Sequence, residues 1–207
     1  GFNEDEITAY CPNSYFFTSV FAIWGWASWR RVFDKRDEQY AFLDDAYTMR
    51  ELKSFAKSRK LRSDLIRMMQ DHRASGKQYF ESLFWSAMLL SSGMAIMPAK
   101  NLINNLGLSD ESTHFSGSMK TTPKAYRRIF MMKRHELEFP LKHPRYILED
   151  VEYKERLYKI NCWGHPWIKI GRSMEELFLN LRYGNFSIIL KAIRKRLGKW
   201  MGTEKHV

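Results

Sequence analysis

Trp24-Gly25-Trp26-Ala27-Ser28-Trp29-Arg30-Arg31 is the stretch on which the fold is decided. It closes an aromatic and apolar segment, residues 14–33, that is too dense in Phe, Trp and Tyr to lie on a surface. The part from Tyr15 to Ile23 is aromatic and β-branched, which suits a buried strand or loop. Gly25 breaks the run, and Ala27-Ser28-Trp29-Arg30-Arg31 can open a helix.

Downstream the periodicity becomes helical. From Asp44 to Ala74, Leu52, Phe55, Leu61, Leu65, Met68 and Met69 recur at three-and-four spacing between basic residues, and Ala74-Ser75-Gly76 ends the pattern. A second helix is predicted over 78–91, apolar enough to be a core helix. Gly93 stops it, and Met94-Ala95-Ile96-Met97-Pro98 reads as a short buried strand. The polar run 101–118 has the composition of a functional loop. After Pro140 and Pro144 the chain is expected to leave the domain body, giving a domain over 1–150 and an extension over 151–207. Final helices are predicted over 174–181 and 186–201.

Hydrophobic residues make up 44% of the 207 and aromatics 15%, enough for a real core and against global disorder. The formal charge is +11 and is unevenly placed. Residues 1–50 hold eight acids against five bases, so the excess of base lies beyond them. Such a surface favours polyanions: nucleic acid, anionic lipid or phosphorylated substrates. Helix-turn-helix, RNP-like and zinc-finger spacings are missing, and no specific nucleic acid is expected. Cys11 and Cys162 form neither a disulfide framework nor a CxxC pair, which makes a reducing, cytoplasmic setting the default. No stretch reaches the ~18–20 apolar residues that span a bilayer. The first residues lack the pattern of a signal peptide, and the missing initiator Met suggests a piece of a longer chain.

Two blocks together carry a resemblance. One is the tryptophan stretch preceded by Tyr15-Phe16-Phe17. The other is Phe80-Glu81-Ser82-Leu83-Phe84-Trp85, followed by 93–98, by Asn101-Leu102-Ile103-Asn104-Asn105-Leu106-Gly107 and by Ser112-Thr113-His114. Phe139-Pro140-Leu141 and His143-Pro144 also fit. In order and spacing these are similar to the C-terminal, acceptor-side half of bacterial glycosyltransferases of the family 2 type. The resemblance spans roughly residues 10–150. It implies an α/β chain, helix-rich, forming the C-terminal half of a GT-A fold with a helical C-terminal extension. It further implies a nucleotide-diphosphate-sugar donor, a divalent metal (Mn or Mg) held mainly by an Asp-x-Asp motif on the other half, and inverting transfer to a cell-envelope glycan such as lipopolysaccharide. No Asp-x-Asp triplet occurs in these 207 residues. Most of the nucleotide-binding half is therefore expected to be absent, and the fragment alone is expected to be inactive.

Inverting transfer needs a carboxylate to take the proton of the acceptor hydroxyl. The resemblance puts Glu81 in that position, where the family usually has Asp. Its apolar sequence neighbours suggest an enclosed carboxyl, while a helix-start glutamate satisfied by backbone amides is the competing reading. His114 is placed by the resemblance on the metal or diphosphate, with Asp110 and Glu111 nearby; a loop histidine that merely hydrogen-bonds is the alternative. Indole faces stack on sugar rings and the indole N–H donates to hydroxyls, so Trp24 and Trp26 are candidates for the acceptor wall, although three tryptophans in six positions also suit a core. Arg30 and Arg31 either face phosphate or form a solvated helix face. Asn104 and Asn105 can present amides to hydroxyls, or serve ordinary turn chemistry.

Phe186, Ile189, Leu190, Ile193, Leu197, Trp200 and Met201 fall on one helical stripe, with Lys191, Arg194, Lys195, Arg196 and Lys199 around it. Two outcomes are open: a helix over 186–201 lying on an anionic membrane surface, or one docked on protein with a solvated basic side. The first suits an enzyme at the inner face of the cytoplasmic membrane. A noncatalytic membrane-docking or nucleic-acid-binding module is the alternative to the transferase.

Overall fold

The computed structural model describes residues 2–4, 10–55, 58–104 and 119–200; the side chains of 53–55 and 195–200 are outside that description. The chain is helix-rich with one small two-stranded sheet, compatible with the α/β class. It divides into two compact units, Gly1–Asn105 with Met131–His165, and Leu106–Phe130 with Pro166–Val207.

In the first unit the aromatic run forms strand β1 (Tyr15–Thr18), paired antiparallel with β2 (Ala95–Pro98), so that Phe16 stands opposite Met97. Alternation is visible at once: Phe16 and Thr18 are buried, Tyr15 and Phe17 less so. On the other edge of β1, the Asp150 amide donates to the Phe17 carbonyl at 2.8 Å, and Ser14 and Lys142 exchange two hydrogen bonds of 2.9 Å. A short helix α1 (Arg30–Phe33) follows the tryptophans, then a 3-10 turn (Ala41–Asp44).

The predicted helical run from Asp44 to Ala74 is two helices, α2 (Ala46–Phe55) and α3 (Arg59–Ser75). The interruption has a local cause. Ser58 adopts extended backbone and accepts from the Leu61 amide, starting α3 afresh as an N-cap. Gly76, at φ +64°, ends it in the left-handed conformation. Leu61, Leu65 and Met69 are the buried face of α3. Helix α4 (Phe80–Leu90) is buried at every position from Ser82 to Met88, as expected of a core helix.

Helix α6 (Val151–Ile160) corrects the expected boundary at residue 150. Asp150 caps it by accepting from the Tyr153 amide at 2.9 Å. Tyr153, Leu157 and Tyr158 are then buried in one cluster with Phe16, Val20, Leu83, Trp85 and Met97. The prolines do not release the chain, because α6 supplies apolar side chains that this small sheet needs on its inner face.

The second unit contains α5 (Lys124–Phe130), α7 (Pro166–Arg182) and α8 (Phe186–Trp200). Helix α7 starts eight residues earlier than the predicted 174, with Pro166 at its first position, where the missing amide hydrogen costs nothing. Gly184, at φ +71°, turns the chain into α8, and Asn185 bonds back to Asn180. Among the described residues no helix is long and apolar enough to cross a membrane.

Candidate functional site

Beyond Thr18 the chain runs through an irregular loop to Trp29. Its start is fixed at Ser19. The Ser19 amide donates to Glu149 Oε1 at 3.0 Å, its hydroxyl donates to the same oxygen, and its carbonyl accepts from Trp85 Nε1 at 2.9 Å. Glu149 Oε2 takes Lys154 Nζ at 2.6 Å. Burial pushes the Glu149 carboxyl up, but Lys154 and the two Ser19 donors outweigh it, and the group lies below the usual carboxylate range. Gly25 makes the turn at φ +54°. A Cβ there would stand 2.8 Å from Ile103 Cδ1, so both conformation and space call for glycine.

The loop folds back over α4 and β2 and encloses a cleft of about 490 Å³. Trp24, Trp26 and Trp29 line it together with Phe21, Met94 and Ile96, and Arg31 and Lys35 supply cations. Each indole is braced by a neighbour that also lines the cleft. Trp24 meets Phe2 edge-on at 4.8 Å, and Trp26 meets Phe84 at 4.7 Å. The Arg31 guanidinium covers the Trp29 ring at 4.8 Å. Even so, the three tryptophans are 38%, 41% and 53% exposed. They are therefore not core residues but walls held in place with surface to spare. A second, more open hollow of about 310 Å³ lies against Trp26, Trp29 and Phe33.

The predicted site residues divide accordingly. Trp24 and Trp26 share the cleft, whereas Arg30 lines only the second hollow and its neighbour Arg31 takes the cleft position. Asn104 is exposed and lines neither. Glu81 is exposed in the first turn of α4 and lines neither hollow, so the expectation of an enclosed carboxylate is corrected. Glu81 lies one turn before Phe84, which with Ala87 and Met88 lines the cleft from α4, and its charge acts on the titration of His72 and Tyr40. Asn105 and His114, with Asp110 and Glu111, lie outside the described residues. Among the described residues no group of three or more His, Cys, Asp or Glu side chains could hold a metal ion, so they do not by themselves fit the implied divalent metal.

Two polar arrangements went unread in the sequence. Ser82 Oγ lies 2.5 Å from the Tyr40 hydroxyl and 2.7 Å from His72 Nδ1, with His72 stacked on Tyr79 at 3.9 Å. Burial pushes the His72 imidazole below its ordinary range. Ser82 is fully buried, so no substrate reaches its oxygen, and the cluster serves to tie α3 to α4. Asn3 and Asn101 are likewise fully buried. Asn3 Nδ2 donates to the Pro98 and Ala99 carbonyls, and Asn101 Nδ2 donates to those of Ile103 and Lys133. These bonds fix β2 and the chain after it, beside the cleft. No spacing reveals partners 95 and 96 residues apart. Comparisons with protein-family models, curated proteins and solved structures find no match.

Proposed function

We propose that this chain is the acceptor-side half of an inverting sugar transferase similar to glycosyltransferase family 2, with a GT-A fold, and that the tryptophan cleft holds its glycan acceptor. The observation that carries the proposal is the cleft itself. Three part-exposed indoles, braced by Phe2, Phe84 and Arg31, offer rigid apolar faces with N–H donors at their edges. That combination suits pyranose rings, which are apolar on their C–H faces and rimmed by hydroxyls. Arg31 and Lys35 add positive charge where an acidic or phosphorylated cell-envelope glycan would need it.

In the transfer, the acceptor oxygen bonds to the anomeric carbon, the bond to the nucleotide diphosphate breaks, and the hydroxyl proton passes to a carboxylate. By resemblance that proton is assigned to Glu81, which lines neither hollow and would have to be met by a hydroxyl extending out of the cleft. Donor, divalent metal and Asp-x-Asp motif belong to the half of such an enzyme that these 207 residues do not contain, and none of the chemistry proposed for this chain runs through the metal.

The test is saccharide binding. Soluble cell-envelope oligosaccharides titrated into the chain are expected to change its tryptophan fluorescence. Trp24→Ala and Trp26→Ala should each weaken binding about tenfold, at unchanged helicity. Binding equal to that of the wild type in both variants, or no binding of any glycan, overturns the proposal. Within an assembled transferase, Glu81→Gln is expected to remove turnover and spare acceptor binding; turnover that survives would take the proton-accepting role away from Glu81.

A further inference from the structure

An amphipathic helix in a globular protein normally turns its apolar stripe inward. Helix α7 does the reverse. Trp167, Ile170, Met174, Leu177, Phe178 and Leu181 fall within an arc of about 100° on the helix, and every one of them is exposed. Trp167, Met174 and Phe178 reach 82%, 66% and 61% exposure. The opposite side is the one that packs. Asn180 is buried, Glu175 accepts from the Lys124 amide at 2.9 Å, and the Arg172 guanidinium lies over the Tyr126 ring. Past the turn at Gly184, α8 continues in kind, with Phe186, Leu190 and Ile193 exposed.

We propose that α7 and α8 together form a surface that lies in the interfacial plane of an anionic phospholipid bilayer, with α7 as the main anchor. Charge selects the occupant. Residues 166–201 carry eight bases against two acids, and neither acid falls within the apolar arc of α7. A protein groove offers no general reason for such an excess, whereas anionic headgroups attract each base near the surface. Trp167 stands at the N-terminal end of the α7 stripe and is its most exposed member, an amphipathic ring of the kind that settles between headgroups and acyl chains. Neither helix can span, so the geometry is that of helices lying along the surface. This inference stands on the second unit alone and is independent of the sugar-transfer reading.

The full chain is to be sedimented with vesicles of phosphatidylcholine alone and of phosphatidylcholine mixed with phosphatidylglycerol. It should pellet with the mixed vesicles, and salt should weaken the association. Met174→Glu combined with Phe178→Glu should lower partitioning by at least about tenfold at unchanged circular dichroism, since both positions are exposed. Lipid brominated near the headgroup should quench tryptophan emission, less so in Trp167→Phe. Failure of the wild type to pellet, or equal pelleting of the double variant, overturns the proposal. So does a concentration-dependent dimer that the double variant loses while neither form binds vesicles, which would assign the stripe to a second copy of this chain.

Discussion

Trp85→Ala is expected to lower the free energy of unfolding by about 3–5 kcal/mol, measured by chemical denaturation. The indole is 5% exposed, belongs to the main core cluster and stacks on Trp163 at 5.8 Å between ring centroids. Truncation removes this packing and leaves a cavity that α4, buried along seven consecutive positions, cannot easily close. It also strips the Ser19 carbonyl of its donor. Trp85→Phe separates the two effects. It keeps most of the ring and deletes only the N–H, and should cost about 1–3 kcal/mol. A Trp85→Ala variant within about 1 kcal/mol of wild type would contradict the packing described above.

The second large effect is expected at Glu149. Its side chain is 24% exposed, and that of Lys154, whose ammonium meets it, is 15% exposed. Removing the charge takes the ion-pair partner from that ammonium and the acceptor from two Ser19 donors at once. Glu149→Ala should therefore cost about 3 kcal/mol near neutral pH. The pH dependence has a definite sign. The folded-state pKa lies below the unfolded one, so this stabilisation is fully present above the ordinary carboxylate range and is lost as pH falls through the folded value. The stability gap between wild type and Glu149→Gln should accordingly shrink on acidification below about pH 4.5. A gap that stays constant down to low pH would show that the ion pair is not the source.

Both variants converge on Ser19, the residue where β1 ends and the tryptophan loop begins. Trp85 holds its carbonyl, and Glu149 holds its amide and hydroxyl. Displacing Ser19 moves the start of the loop that carries Trp24 and Trp26. On the proposed function, loss of saccharide binding in these variants, even under conditions where they are folded, is the expected signature of that anchoring.

The sequence by itself determined the elements. Period and punctuation were enough for α4, α8, the end of α3 and β2 as a strand, though not for the start of α3 or the exposure of Ile96, because Leu61, Leu65 and Met69 repeat at helical spacing and Gly76 and Gly93 stop the runs. It also offered Trp24 and Trp26 as candidates for a saccharide wall, because indole faces suit sugar rings, with a place in the core as the alternative. Only the tertiary structure decided the rest. Whether an indole is wall or core depends on what braces it, here Phe2 and Phe84 from distant parts of the chain. Tertiary packing brought Phe84 to the cleft and left Glu81, one turn earlier on α4, outside it, and packing turned the apolar stripe of α7 outward. Local sequence sets which residues share a face; which way that face turns is set by long-range partners, and no periodicity encodes it.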